Sequence, residues 1–338
     1  MSGLAAWLER GKRIFAPPRG PSLVPLMGGR PLTVLFVGAR GGPASRWTEY
    51  GRDVALIGLE PDPAEHARLE REARAGERYL CVAAGSERGR ARLNLTRQAG
   101  CSSFYEPNRA LLSQFPPDIA RMFEVVGSTE VETAPLDELV AQESLEPDVL
   151  AVDVQGAELS VLRGAGELLG RLALVELEVE LAPQYVGQPL FSDVDPFMRQ
   201  RGYELLGLRR SSWRRRSPRG TSDSVAGGQL IHADALYLNR ARLDALPSSA
   251  ELVRFLLGLS AYRQHDFIEY LLAEHPRAAE LTSSQRKALR LRLVPEIRPL
   301  WRSVRRSLLH LPHHLTVRAL AVALREAPAD DWHDPDFF

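Results

Sequence analysis

The chain has 338 residues, is 44% hydrophobic, and carries 43 basic against 43 acidic residues for a formal charge of zero. That balance excludes a chain-wide electrostatic grip on nucleic acid or on an anionic membrane, so any such contact must be local. Two cysteines, Cys81 and Cys101, are too few for a disulfide framework and fit a reducing compartment, with the cytoplasm as the default.

In chain order, "MSGLAAWLERGKRIF" reads as a short helix whose apolar run is broken by charges before a secretory core can form, and no later stretch is apolar enough to span a bilayer. Residues 16–31 hold five prolines and three glycines and read as an irregular lead-in. From Leu32 apolar runs alternate with helical patterns: "LTVLFV", "VALIGLE", the helix "PAEHARLEREARA", "RYLCVAA", then "DVLAVDV", the helix "AELSVLRGAGELL", "LALVELEVEL" and the helix "DVDPFMRQRG". This alternation predicts an α/β fold with a doubly wound, mostly parallel sheet. "YELLGLRRSSW" and "GQLIHADALYLNR" have no room for a crossover helix between them and are expected to form a terminal antiparallel hairpin, giving a Rossmann-like sheet. Beyond Leu246 the patterns are helical. The expected organisation is a lead-in over 1–31, a core domain over 32–245, and a helical C-terminal extension over 246–338 that ends in an acidic tail.

"VGARGG" brings Gly38, Ala39, Arg40, Gly41 and Gly42 to the end of the first strand, where glycines let backbone N–H groups approach a ligand closely. Glu60, 22 residues after Gly38, ends the second strand, and a carboxylate there can accept from both hydroxyls of a ribose. Asp153 ends a buried strand, the position where open α/β sheets place their chemistry. It is a candidate proton acceptor, a partner for a ligand's ammonium group, or a helix N-cap. Glu158, His232 and Asp234 are the other candidates for handling a proton, with His232 weighed against a plain packed strand histidine.

In this order and spacing, "VGARGG", "LEPDP", "VAAGSERGRARL", "GCSSFYEPN", "TAPLDEL", "DVQGAELSVLRGA" and "ADALYLN" resemble the FkbM-type family of methyltransferases that use S-adenosylmethionine (SAM). The resemblance covers roughly residues 32–239. It implies SAM as cofactor, with Gly38 and its neighbours along the methionine end, Glu60 and Pro61 at the ribose, and Ala84 and Gly85 near the adenine. It also implies O-methylation of a hydroxyl on a sugar, glycan or natural-product acceptor. Family members commonly carry an acid where this sequence has Phe36 and a lysine where it has Ala151. Those departures motivate an alternative, a non-catalytic module that keeps the fold and works through partners. A nicotinamide dehydrogenase is disfavoured because G-A-R-G-G is a poor G-x-G-x-x-G.

Four further patterns complete the reading. The aromatic pair in "GCSSFYEPN" suits a sugar or ring substrate, as against plain loop packing. Glu176, Glu178 and Glu180 alternate along one strand, and the face they share is expected either to reach the site or, as is usual for strand-end acids, to be solvated. Arginines 209, 210, 214, 215, 216 and 219 are expected in the loop between the last two strands, where a phosphate or acidic glycan competes with bulk solvent. From Arg286 to Arg318 nine basic residues face one acid, with Ile297, Leu300, Trp301, Val304 and Leu308 at helical spacing. That basic amphipathic helix is expected to dock on the catalytic domain or a second subunit, with an anionic membrane surface as the alternative. His310 and His314 are separated by the helix-breaking Pro312, and no metal site is expected.

Overall fold

The apolar runs become strands of a seven-stranded sheet in the computed structural model, which describes residues 20–216 and 228–294. Along the chain the strands are β1 (Leu32–Val37), β2 (Val54–Leu59), β3 (Glu77–Leu80), β4 (Ala83–Ala84), β5 (Gly89–Thr96), β6 (Val125–Ala134), β7 (Val149–Val152), β8 (Leu174–Glu180), β9 (Tyr203–Trp213) and β10 (Gln229–Asn239). The large sheet has the order β3-β2-β1-β7-β8-β10-β9, and β4, β6 and β5 form a separate sheet of three. Strands β1, β2, β3, β7 and β8 are parallel, while β10 runs antiparallel to both β8 and β9. The expected antiparallel pair is therefore present, with β10 inserted between β8 and β9. The strand order reverses between β1 and β7, so the loops that follow these two strands open into one crevice.

Alternate residues of β1 feed two apolar layers, as the two-residue period of a strand requires. Leu32 and Val34, with Phe36 packed beside them, face one layer, while Leu35 and Val37 face the other. Among the described residues the helices that pack around the sheet include α1 (Pro63–Glu72), α2 (Leu136–Gln142), α3 (Glu158–Arg163), α4 (Phe191–Gln200), α5 (Ser249–Ala261), α6 (His265–Glu274) and α7 (Ser283–Leu293). Helices α2, α3 and α4 cover the Leu35 face. The C-terminal helices α5, α6 and α7, with Trp47, cover the Leu32 face. Every residue of α5 from Leu252 to Ala261 is buried, as expected for a helix that is apolar almost all round. Its one charge in that run, Arg254, is matched by Asp148 at 3.1 Å and the Met27 carbonyl at 2.6 Å.

Three local expectations are corrected. "AELSVLRGAGELL" does not form one helix: α3 ends at Gly164, where a Cβ would lie 2.1 Å from the Gly85 carbonyl oxygen, and a separate turn follows at Gly166–Leu169. "RYLCVAA" breaks at Cys81 and Val82, where the chain leaves the large sheet for the small one. Arg209 and Arg210 lie in β9 and not in the loop after it. The expected N-terminal helix, Arg219, residues 297–308, the pair His310 and His314, and the acidic tail lie outside the described residues. Among the described residues no helix is long and apolar enough to cross a membrane.

Candidate active site

The crevice between the ends of β1 and β7 is a cleft lined by Gly38, Arg40, Glu60, Pro61, Ala84 and Asp153, together with Val82, Leu93 and Phe104. Residues separated by more than a hundred positions meet here because β1 and β7 are sheet neighbours. Gly38 takes φ +89°, and a Cβ on it would stand 1.8 Å from the Asp153 carbonyl oxygen, so glycine is needed to let β1 and β7 close up. The loop's N–H groups serve the protein itself. Those of Gly38 and Ala39 both donate to the Leu59 carbonyl, that of Gly42 donates to the Ala39 carbonyl, and that of Gly41 donates to Glu65 Oε1. The expectation that these four donors face a ligand is corrected, because strand and loop hydrogen bonds use them first. Ala39, Gly41, Gly42 and Gly85 do not line the cleft.

Glu60 is almost fully buried at the end of β2, and burial raises its carboxyl above the ordinary range. Its Oε1 accepts from the Asp62 N–H at 2.9 Å and from Arg40 at 3.4 Å, while Arg40 also pairs with Asp62 at 2.7 Å. Oε2 is the oxygen left for a ligand. The cleft thus offers a fixed acceptor at one side and apolar surfaces from Val82, Leu93 and Phe104 near it, which fits a ribose and a purine ring. Phe104, Gly100 and Ser102 belong to "GCSSFYEPN", so part of that loop lines the cleft as expected, while Cys101 turns inward and is buried.

At the other end of the cleft a polar cluster begins with Asp153, whose side chain is exposed. Gln155 Nε2 donates to Asp153 Oδ1 at 2.7 Å and to Glu178 Oε2 at 2.5 Å, which ties β7 to β8. His232 on β10 lies 3.8 Å from Glu178 Oε1 and packs edge-on against Trp213. Burial lowers the His232 pKa, so its ring is neutral at neutral pH. Glu158 is fully buried, and its Oε1 accepts the N–H groups of Val154 and Gly156 at 3.0 and 3.2 Å. It thereby caps the turn that precedes α3, a role the sequence allowed for Asp153. Burial pushes the Glu158 carboxyl up to about 7. Asp234 is held by Arg209 at 2.6 Å. In the turn, Gln155 has φ +55°, backbone strain on the very residue that joins the two carboxylates.

Glu176 and Glu180 are buried and Glu178 is half-buried, so the three are not solvated as expected of strand-end acids. Glu176 is gripped by Arg46, 2.6 and 2.7 Å from its two oxygens, and accepts from the Tyr262 hydroxyl at 2.8 Å. Sequence reasoning missed Gln155, Arg46 and Tyr262. The alternation of the three glutamates was the signal for their shared face, but nothing local named their partners.

The family model for the FkbM methyltransferase domain matches residues 37–205, which runs from the end of β1 into β9 and contains the cleft. The chain belongs to the FkbM methyltransferase family. No curated protein matches it in a sequence search. Among solved structures the FkbM chain is similar to magnesium protoporphyrin IX methyltransferase from Synechocystis with bound SAM, at 8% identity, covering 70% of this chain and 77% of that one with a TM-score of 0.33. It is also similar to a TehB-like SAM-dependent methyltransferase from Corynebacterium glutamicum, at 10% identity over 70% and 97% of the two chains, TM-score 0.30. A third is precorrin-6y C5,15-methyltransferase from Geobacter metallireducens, at 10% identity over 64% and 85%, TM-score 0.32. Likeness at this level carries nothing about the cofactor or acceptor of this FkbM chain.

Proposed function

We propose that this FkbM-family chain is a SAM-dependent O-methyltransferase acting on a hydroxyl of a sugar, glycan or natural-product acceptor. The observation that carries the reading is one cleft with Glu60 at one side and Asp153 and Gln155 at the other, where Gln155 is bonded to Glu178 and Glu178 lies 3.8 Å from His232. Glu60 and Pro61 hold the ribose, Ala84, Val82 and Phe104 flank the base, and Gly38 and Asp153 border the methionine end. Bound SAM supplies an electrophilic methyl group on a sulfonium. The chain's own work is to align the acceptor oxygen and receive its proton, and positioning contributes much of the rate in such a transfer. His232 suits the second task because burial keeps its imidazole neutral and able to accept. Asp153, exposed at the cleft, suits the first. Glu158 holds the turn beneath both.

The described part of the basic C-terminal stretch, residues 286–294, packs on the catalytic domain. In its described part Leu289 and Leu293 are fully buried in the core beside α5, which supports this over a membrane surface.

Calorimetric titration with SAM and S-adenosylhomocysteine tests the cofactor, and transfer of labelled methyl from SAM to a panel of sugar and glycan acceptors tests the reaction. Absence of binding at about 1 mM, where an unaided site still gives about −4 kcal/mol, refutes the proposal. Binding without transfer to any acceptor favours the non-catalytic module, for which Phe36 and Ala151 are the specific evidence.

A further inference from the structure

We infer that Tyr185 is a positioning residue for the proposed methyl transfer: its hydroxyl fixes the side-chain amide of Gln155, and through that amide it sets Asp153 and Glu178 at the acceptor end of the cleft. The role rests on the proposed reaction, but the contacts behind it do not. Both polar atoms of the Gln155 side chain are engaged. Nε2 has two hydrogens, one for Asp153 Oδ1 at 2.7 Å and one for Glu178 Oε2 at 2.5 Å. Oε1 accepts from the Tyr185 hydroxyl at 3.0 Å. An amide flipped end for end would aim its oxygen at two carboxylates, which have no hydrogen to give when ionised. The backbone of Gln155 is held as well, since its carbonyl accepts from the Ser103 hydroxyl at 2.6 Å while φ stands at +55°, a conformation that persists only where the surroundings impose it.

Tyr185 is itself immobilised. It is fully buried, its ring packs against Phe123 with centroids 5.6 Å apart, and Cys101 and Leu112 share that apolar cluster. Its hydroxyl also donates to the Cys101 carbonyl at 2.8 Å, so one hydrogen serves two oxygens. On either side of Tyr185 the backbone is zipped to the segment after Cys101: the Val186 N–H donates to the Glu106 carbonyl and the Asn108 N–H to the Gln184 carbonyl. The hydroxyl therefore ties this pair of loops to the turn that follows β7. Packing alone does not ask for it, because phenylalanine would fill the same volume without a buried polar group to satisfy. Gln155, by contrast, is half-buried and lines the cleft, so an amide released by Tyr185 can turn to water. Asp153 and Glu178 then lose the donor they share, and their repulsion drives the exposed Asp153 away from the place where it aligns the acceptor.

Tyr185→Phe in the full chain removes the hydroxyl alone. Its kcat for methyl transfer is expected to fall by about tenfold to a hundredfold, the cost of a misplaced reacting group, while SAM affinity by calorimetry stays at the wild-type value. Gln155→Met, which keeps the length of the side chain without its amide, is expected to lose as much. Tyr185→Phe added to Gln155→Met should then cost nothing more in kcat, because the hydroxyl has nothing left to position, whereas a merely structural hydroxyl would lower both backgrounds alike. A second readout needs no acceptor. In a two-dimensional NMR spectrum the side-chain amide pair of Gln155, identified by its loss in Gln155→Met, is expected downfield in the wild type because of its two carboxylate acceptors, and at the position of a solvated glutamine in Tyr185→Phe. Unchanged amide signals in Tyr185→Phe, or additive losses in kcat, overturn the inference. If Tyr185→Phe does not fold, wild-type kcat in Gln155→Met overturns it. Wild-type chain that transfers methyl to no acceptor refutes the reaction instead, and the amide signals tell that failure from this one.

Discussion

Phe36 on β1 and Ala151 on β7 are direct register partners across a parallel strand pair, so the two departures that the resemblance implies fall at one place in the sheet. A large apolar side chain there stands beside a small one. Phe36 packs edge-on to Trp47, with ring centroids 6.4 Å apart, and joins the layer under α5. Ala151 is partnered on its other side by Glu176, so a buried ion pair does exist in the same row, one strand further along, as Glu176 with Arg46. Replacing a buried ion pair by a well-packed apolar pair is commonly neutral or stabilising, while replacing one member alone is costly.

That relationship predicts a strongly non-additive mutant cycle. Phe36→Asp alone is expected to destabilise by about 2–4 kcal/mol, since it buries a carboxylate against Trp47 and Ala151. Combining it with Ala151→Lys is expected to recover at least about 1 kcal/mol. Urea denaturation of the four proteins reads the cycle, and additive losses would show that the two positions do not communicate.

Gly38 and Gly41 both have positive φ, yet they are expected to respond differently to alanine. At Gly38 the new Cβ meets the Asp153 carbonyl, so Gly38→Ala forces β1 from β7 at a cost of at least about 3 kcal/mol. At Gly41 nothing lies within 4 Å, and the cost is the backbone strain alone, about 1 kcal/mol. Equal losses in denaturant midpoint would contradict the steric account.

Glu60→Gln keeps an acceptor for the Asp62 N–H but removes the charge at the ribose position. The expected result is a stable fold with SAM bound about tenfold more weakly, the loss of about 1.5 kcal/mol in a charge-assisted hydrogen bond. Calorimetry that returns wild-type affinity would remove Glu60 from the cofactor site.

Burial lifts the Glu158 carboxyl from its ordinary 4.5 to about 7. Between these values the folded state binds more protons than the unfolded chain, so the contribution to stability is complete below the lower value and is lost as pH rises through the higher one. Glu158→Gln abolishes that titration. Relative to wild type it should gain up to about 3 kcal/mol on going from about pH 4.5 to pH 7.5. A stability difference that is flat over this range, measured by chemical denaturation, would mean that Glu158 is not desolvated as described.

The Tyr262 hydroxyl, at the end of α5, reaches the sheet at Glu176 and joins the C-terminal helices to the strand layer. Tyr262→Phe is expected to cost about 1–2 kcal/mol, because Arg46 still neutralises Glu176. Arg46→Ala should cost about 3–5 kcal/mol by leaving a buried charge alone. If both are silent in thermal unfolding, this contact does not hold the layers together.

The sequence by itself determined the parallel α/β sheet, the glycine that ends β1, the acid that ends β2, the strand-end Asp153 and the antiparallel return of β9 and β10. Each is written in local periodicity or in a short spacing, because strand alternation and turn chemistry act over a few residues. Tertiary structure alone decided which loop N–H groups β2 and α1 consume, and which glutamates are desolvated. It also decided that β10 enters between β8 and β9, and that α5 to α7 cover the Leu32 face of the sheet. Those outcomes depend on groups far apart in the chain, such as Arg46 with Glu176 and Gln155 with Glu178, whose burial follows from packing that no local pattern encodes.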